Sequence, residues 1–318
     1  MRRVLITGGT GFVGTHLVRY LRPTTPSIAV MASDKNPSRR DMGVEYYELD
    51  IRKQDLVRAA IREIKPNEIY HLAGISAVDQ SWDNPRLAFE VNVIGTYNLL
   101  EAAMSWASPP RILNISTAQV YAPSDGLLTE ESPVSPGNPY AASKAMAEML
   151  EIYFCKVSGG GIITARSFNH TGPGQSPTFV LPSIAKQLAE IEIGLRAPRL
   201  TVGNINVKRD FTDVRDVVRA YGALLTKGRT GQIYNVCSGT GTLLSDLLMQ
   251  FQAVCRTVVT VEIDPTRVRP GETPQIVGDS TKIRRETAWE PQIPMEQTIR
   301  DLLDYWREKI NASGAVAL

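Results

Sequence analysis

An α/β fold, a doubly wound parallel sheet with a smaller C-terminal α/β lobe, is what this 318-residue chain predicts. Three observations carry that reading. Apolar runs of strand length alternate with longer runs of helical spacing through the first half, the pattern of a parallel sheet with helices on both faces. A glycine-rich turn, Thr7-Gly8-Gly9-Thr10-Gly11-Phe12-Val13-Gly14, joins the first strand to the first helix, which makes the sheet Rossmann-type. After about Ser167 the alternation loosens into glycine, proline and short elements, the mark of a second, smaller lobe.

Taken in order, Val4 to Thr7 is a short β-branched strand, and Val13, Leu17, Val18 and Leu21 give Phe12 to Leu21 a helical stripe. Strands follow at Ile28 to Ala32 and Tyr46 to Leu49. Gln54 to Ile64 is an amphipathic helix closed by Lys65-Pro66, because proline disfavours helix at the residue before it. Glu68 to Leu72 is a fourth strand. Pro85 to Ala107 reads as one long helix with Phe89, Val93, Tyr97, Leu100 and Met104 near one face. Arg111 to Ser116 is a strand, Pro139 to Val157 a second long helix, and Ile162 to Arg166 a sixth strand. Beyond these, helices are expected at Pro182 to Glu192, Val214 to Thr226 and Met295 to about Lys309, with a strand near Arg199 to Val202. Gln232 to Val236 is a strand expected to return to the large sheet. The domain division that follows is 1–167 with about 231–238 for a dinucleotide, and the remainder of 168–318 for substrate.

Composition excludes several classes. Lys plus Arg number 35 against 33 Asp plus Glu, so there is no basic field to bind nucleic acid. Cys155, Cys237 and Cys255 are widely spaced with no CxxC pair, which suits small buried thiols of a reducing compartment rather than a disulfide framework. His16, His71 and His170 have no metal-ligand spacing, so no metal site is expected. No apolar run approaches the roughly 20 residues a membrane helix needs. The opening MRRVLITGG starts like a secretion signal but breaks at once into glycines. A cytoplasmic enzyme without membrane contact is expected.

The glycine turn is the first chemical signal. Gly8 permits the tight turn, Gly11 lets backbone approach a pyrophosphate, and Gly14 allows close packing of the helix; phosphates then sit at the helix N-terminus beside Phe12 and Val13. An acidic residue about 20 positions on selects between dinucleotides. Asp34 is that candidate and favours NAD(H), by bonding the ribose hydroxyls; Lys35, Arg39 and Arg40 follow it and favour NADP(H). Asp50 and Ile51, ending the third strand, suit an adenine contact or a helix cap.

Tyr140-Ala-Ala-Ser-Lys144 is the second. Four residues apart at a helix start, Tyr140 and Lys144 share a face. An ammonium beside a phenol lowers the phenol's pKa and suits it to general acid–base work. Ser116-Thr117 ends the preceding strand, at the sheet edge where ligands bind in such folds, and its hydroxyl could hold the oxygen that Tyr140 protonates.

With these residues in view, the chain resembles the extended short-chain dehydrogenase/reductase family, through TGGTGFVG, HLAGIS, NVIGTYNLLEAA, STAQVY and YAASK. The second half is similar to its nucleotide-sugar branch, through RSFNHTGPGQ, VGNINVKRDFTDVRDVVRAY, YNVCSGTGT and RPGETP. FNHTGPGQ with GNINVKRD points within that branch to enzymes of GDP-mannose. The resemblance implies reduction of the 4-keto group of a GDP-linked 6-deoxymannose to GDP-D-rhamnose by NAD(P)H, with Tyr140 giving the proton, Thr117 orienting the carbonyl and Lys144 tuning Tyr140. It implies cofactor contacts also at Leu72, Ala73 and Gly74. A 4,6-dehydratase needs a carboxylate two residues beyond the active threonine, where this chain has Gln119; an amide cannot serve as that base. A 4-epimerase needs no such carboxylate and stays open, as do, against the argument from Gln119, a 4,6-dehydratase with tightly bound NAD(P) and a non-catalytic dinucleotide sensor.

On the substrate side, Arg209 and Arg269 are the candidate diphosphate ligands, since a guanidinium can hold phosphate bidentately. By similarity Glu272 would bond the nucleotide ribose, Asn169 a phosphate or sugar oxygen, and Val180 would line the site. Ser76, Val78 and Ser81 could line the sugar pocket or cap a helix. His170 is read as packing or a loop hydrogen bond rather than an acid. Arg215 and Arg219, with Asp213 and Asp216, are read as a solvated helix face. The two long helices resemble the pair with which this family forms a dimeric four-helix bundle, and Met146, Met149, Leu150 and Phe154 fit such a face or burial within the monomer.

Overall fold

The computed structural model describes residues 2–32, 43–106, 108–268 and 272–314. Strand β1 (Arg3–Thr7) leads through the glycine turn into α1 (Phe12–Leu21), then β2 (Ser27–Ala32), β3 (Glu45–Glu48), α2 (Gln54–Ile64) and β4 (Glu68–His71). Two short helices follow, α3 (Val78–Asp83) and α4 (Pro85–Phe89); α4 continues through a π-helical segment, Glu90–Ile94, into α5 (Gly95–Met104). Next come β5 (Arg111–Thr117), α6 (Pro139–Ser158), β6 (Ile162–Ser167), β7 (Asn169–Thr171), α7 (Val180–Glu192), β8 (Arg199–Val202), β9 (Lys208–Asp213) and α8 (Val214–Lys227). The chain ends with β10 (Ile233–Val236), β11 (Gly241–Leu243), α9 (Leu244–Val254), β12 (Thr260–Ile263), β13 (Gln275–Ile276), α10 (Thr281–Thr287) and α11 (Met295–Gly314).

Seven strands form the main sheet in the order β3-β2-β1-β4-β5-β6-β10, every pair parallel. The order reverses between β1 and β4, and a ligand crevice opens at the carboxyl ends of strands at such a switch point. Alternation along each strand feeds two cores. Val4, Ile6, Ile28, Val30, Leu113 and Ile163 face α1 and α8. Leu5, Ala29, Met31, Ile69, Ile112 and Ile162 face α2, α5 and α6. A third core joins α7, α9 and α11 over β8. There β9 lies between β11 and β13 and also pairs β7, while β12 pairs β8. Among the described residues no helix is long and apolar enough to cross a membrane.

The doubly wound parallel sheet is as the alternation predicts, and β10 does return to its edge beside β6. Three differences have physical causes. The expected helix from Pro85 to Ala107 ends at Met104 and contains the π segment. Its extra residue per turn rotates the stripe, so Tyr97 turns outward while Asn92, Thr96 and Leu99 turn inward. Helix α9 carries no capping signal: its N-cap is Leu243, without a side-chain acceptor. Strand β9 reads KRDFTD, charged enough to hide a strand whose Arg209, Asp210, Thr212 and Asp213 are nonetheless buried.

Candidate active site

One cavity of about 1990 Å³ follows the carboxyl ends of β1, β4, β5 and β6 and runs on between α7, β9 and the 201–207 turn. At its floor the glycine turn is under tight steric control. Gly8 has φ +68°, donates its N–H to the Met31 carbonyl at 2.7 Å, and a Cβ there would stand 2.8 Å from the Ala73 nitrogen. A Cβ on Gly14 would meet the Gly9 Cα at 2.5 Å, so only glycine lets α1 begin this close to the loop. The N-cap of α1 is Gly11, which brings no side-chain acceptor. The helix start therefore offers backbone N–H groups and its positive end to the cavity, as a pyrophosphate requires. Phe12, Val13, Asp50, Ile51, Leu72, Ala73 and Gly74 line the same end, and these residues fit a dinucleotide. The Asp50 carboxylate is held by the Arg52 side chain, with Nη2 at 2.6 Å, and this keeps its pKa below the usual range. Asp34, Lys35, Arg39 and Arg40 lie outside the described residues.

A hydrogen-bonded pin holds this floor together. Thr96 Oγ1 donates to the Asn92 carbonyl at 2.7 Å, so it accepts from His71 Nε2 at 2.9 Å. His71 Nδ1 then accepts from Thr7 Oγ1 at 2.7 Å, and Thr7 Oγ1 in turn accepts the Ala73 N–H at 3.2 Å. Burial pushes the His71 imidazole down to about 3, with the Lys144 charge adding to the effect. Asn92 pins the next turn: its Oδ1 accepts from the Ile75 nitrogen at 2.8 Å and its Nδ2 donates to Ser143 Oγ at 2.9 Å. Sequence reasoning passed over both residues; the one signal for Asn92 is a polar residue on the inward face of an apolar helix.

Tyr140, Thr117 and Lys144 face the cavity together. Helix α6 starts at Asn138, whose Oδ1 accepts the Ala141 N–H at 2.8 Å, and Pro139 takes the first helical position. Thr117 ends β5 and hydrogen-bonds the Tyr140 side chain. Lys144 Nζ donates to the Ile115 carbonyl at 2.7 Å. The expected lowering of the Tyr140 pKa by Lys144 is not found. Burial raises it, and only the Thr117 bond opposes this. The reason is that Lys144 is itself buried, its ammonium spent on a backbone carbonyl and pushed down to about 8, with Glu151 and Glu148 holding it up.

Gln119 lines the cavity in a determined orientation. Asn138 Oδ1 is committed to a backbone N–H, so its Nδ2 is the donor to Gln119 Oε1 at 3.0 Å. The Gln119 amide therefore turns its NH₂ side away from Asn138.

Ser76, Val78, Asn169, Val180, Arg209 and Glu272 also line the cavity. Arg209 Nη2 meets Glu272 Oε1 at 3.1 Å, and Asn204 Nδ2 donates to Glu272 Oε2 at 3.1 Å. Arg269 lies outside the described residues. Ser81 is a correction: it is fully buried, its Oγ donating to the Val78 carbonyl at 2.6 Å and accepting the Tyr140 N–H at 3.1 Å. It satisfies an orphan donor at the start of α6 instead of lining a sugar pocket. The solvated face is a second correction. Asp213 caps α8, and Asp216 is wholly buried, accepting the Gln292 and Ile293 N–H groups at 2.8 Å. Arg215 and Arg219 neutralise these two carboxylates at 2.7 and 2.5 Å. His170 bonds the Phe168 carbonyl at 3.0 Å and stacks on Phe12, as a packing role requires. Trp82, Asn204 and Arg267 line the cavity without having been expected; each sits in a loop or short helix with no periodic pattern around it.

Comparison with known proteins adds to this geometry. The family model described as GDP-mannose 4,6 dehydratase matches residues 5–302. The chain is 35% identical over 312 residues to GDP-6-deoxy-D-mannose reductase of Pseudomonas aeruginosa, covering 97% of this chain and 98% of that protein. It superposes with a TM-score of 0.85 and 33% identity on the structure of RMD from Pseudomonas aeruginosa complexed with NADPH, over 97% of this chain and 100% of that one. The UDP-glucose 4-epimerase of Thermus thermophilus in complex with NAD gives a TM-score of 0.86 at 30% identity, over 96% and 99% of the two chains.

Proposed function

The chain belongs to the GDP-mannose 4,6-dehydratase family, and from that premise we propose that it is an NAD(P)H-dependent oxidoreductase that reduces the 4-keto group of GDP-4-keto-6-deoxy-D-mannose to GDP-D-rhamnose. The observation that carries the reading is the meeting of Thr117, Tyr140 and Lys144 in one cavity with the glycine turn, with Gln119 where dehydration needs a carboxylate. NAD(P)H, when bound, supplies the hydride that the sugar C4 receives. Tyr140, a phenol and so protonated at neutral pH, gives its proton to the carbonyl oxygen as charge develops there. Thr117, which lines the cavity with Tyr140, orients that oxygen. Lys144, which leaves the neutral phenol of the free protein unshifted, is the cation in the same cavity that faces the negative charge once Tyr140 has given up its proton.

Residues 1–167 with about 231–238 hold the dinucleotide, and the remainder of 168–318 the sugar nucleotide. Arg209 holds the diphosphate and Glu272 the ribose; their ion pair sets the two groups at hydrogen-bonding distance from each other. Asp34 favours NAD(H) in this reading. Three free cysteines suit a reducing compartment, the cytoplasm. Met146, Met149, Ile152, Tyr153 and Val157 leave an exposed apolar stripe on α6, with Ile94 and Tyr97 beside it. This supports a homodimer through a four-helix bundle.

The test is oxidation of NADH or NADPH in the presence of GDP-4-keto-6-deoxy-D-mannose, followed by absorbance. Stoichiometric consumption is expected, with kcat falling by about 10²–10⁴-fold in Tyr140→Phe and cofactor affinity preserved. No consumption, with conversion of a UDP-hexose at C4 by tightly held NAD, would replace this reading by the 4-epimerase.

A further inference from the structure

The layer between α6 and the sheet is polar directly beneath Lys144, although the layers around it are apolar. Strands β5 and β6 turn Asn114, Ser116, Thr164 and Arg166 toward α6, while Leu113, Ile163 and Ala165 alternate onto the opposite core. From α6 come Lys144, Glu148 and Glu151, whose spacing of four and three puts them on one face. Four ionisable groups are thus enclosed: Lys144, Glu148, Glu151 and Arg166 are 7%, 5%, 2% and 4% exposed.

Charge can be balanced group by group. Arg166 forks onto Glu148, with Nε to Oε1 at 3.0 Å and Nη2 to Oε2 at 2.7 Å, so these two neutralise each other. Glu151 accepts from Asn114 Nδ2 and Thr164 Oγ1, both uncharged. Lys144 Nζ donates to the Ile115 carbonyl, also uncharged. Lys144 and Glu151 are therefore left as each other's counter-charge, reaching consecutive residues of β5 from the same face of α6. A buried ammonium without a nearby carboxylate would shed its proton.

We propose that Glu151 is a positioning residue for catalysis: its enclosed carboxylate keeps Lys144 an ammonium ion at neutral pH, and so keeps it able to stabilise the Tyr140 phenolate. The proposal rests on the roles given above to Tyr140 and Lys144. Burial pushes Lys144 down and Glu151 up, both to about 8, while the charge of each opposes the shift of the other, so the ionised pair and the form with its proton on the carboxylate are close in energy and the state of one group decides that of the other. The buried Asn114 Oδ1 has no partner. Turning that amide over would let it accept from a protonated Glu151, so the site also accommodates the form in which the proton has passed from lysine to carboxylate. Other groups around the pair are accounted for. Glu148 and Cys155 stand on α6, Arg166 on β6, and His71 lies within the field of Lys144. On the helices packed against α6, Glu101 of α5 is turned to Arg58 and Glu90 to Arg52 and Arg86. Strand β5 presents only the neutral Asn114 and Ser116.

The test measures Lys144 itself. Native protein is labelled with acetic anhydride across a pH series, and modification of Lys144 is read by peptide mass spectrometry. In the near-isosteric Glu151→Gln the labelling midpoint should fall by about one pH unit or more. The alkaline limb of the kcat profile should fall with it, and KM for the sugar nucleotide should stay unchanged. A midpoint equal to that of the wild type overturns the proposal. If Glu151→Gln does not fold, Thr164→Val removes a donor to the same carboxylate and should move the midpoint in the same direction by less; no movement there also overturns it. Wild-type protein that reduces no keto sugar would refute the functional reading, while the labelling midpoint would still decide the role of Glu151.

Discussion

Protonating His71 would strand a cation between two threonine hydroxyls, because its Nδ1 is already the acceptor from Thr7. The folded state holds this ring neutral down to about pH 3, whereas an unfolded histidine titrates near 6.5. The unfolded chain then binds the extra proton, so the stabilisation is complete above 6.5 and is lost as pH falls toward 3. The slope is up to about 1.4 kcal/mol per pH unit. Urea unfolding at pH 7.5, 6 and 5 should show wild type losing its advantage over His71→Gln as the pH drops; parallel curves would refute this. At the residue scale the sequence is readable where chemistry follows from local spacing. The glycine turn and the Tyr140–Lys144 pair are set within eight residues or fewer. His71, Asn92 and Ser81 escaped because each acts through a partner 25 to 64 positions away in sequence, and no periodicity reports such a bond. The charge state of Lys144 escaped for a related reason: burial, which sets it, is a property of the folded layer.

Among the elements, α6 brings the most candidate site residues together at its start. Asn138 caps it with one side-chain atom and orients Gln119 with another. Asn138→Ala should cost ~0.5–2 kcal/mol of stability and, separately, raise KM for the sugar nucleotide by freeing the Gln119 amide. Thermal unfolding and steady-state kinetics on the same preparation would detect the two effects, and a KM unchanged despite lost stability would remove Gln119 from the substrate site. Helices α1 and α2 were legible to the residue because amphipathic stripes and a terminal Lys-Pro bound them. Helix α5 was legible in kind but not in phase, since an apolar count cannot reveal one inserted π turn. Strand β9 was illegible because its buried charges are matched by tertiary partners: Asp210 by the N–H groups of Ser238 and Gly239, and Arg209 by Glu272.

At the scale of the molecule, the sheet order and the switch-point cavity follow from the strand–helix alternation and from the rule for right-handed crossovers. What alternation does not convey is how closely the late chain is built into the early fold: α8 and α10 complete the core over β1 and β4. The exposed stripe on α6 includes Met149 at 69% and Val157 at 61% exposure, more apolar surface than an isolated chain keeps without a purpose. Light scattering should find wild type a dimer and the double variant Met149→Arg, Tyr153→Arg a monomer. Because the cavity lies elsewhere, the monomer should still bind dinucleotide. A monomeric wild type would remove the bundle from the proposal.

The place of β10 has a consequence for how the protein is made. Strand β6 is finished at Ser167, yet the neighbour that covers its free side is Ile233–Val236. A ribosome adding about 5–20 residues per second needs roughly 3–14 s to bridge that interval. For that time a six-residue strand, IITARS, buried throughout in the finished fold, presents unpaired backbone on the growing chain, and its companion face waits for α8. Nascent chains of this protein thus pass through a stage with an adhesive sheet margin, and Arg166, set within that strand and unable to reach solvent once folded, is the charge that interrupts its apolar run during synthesis.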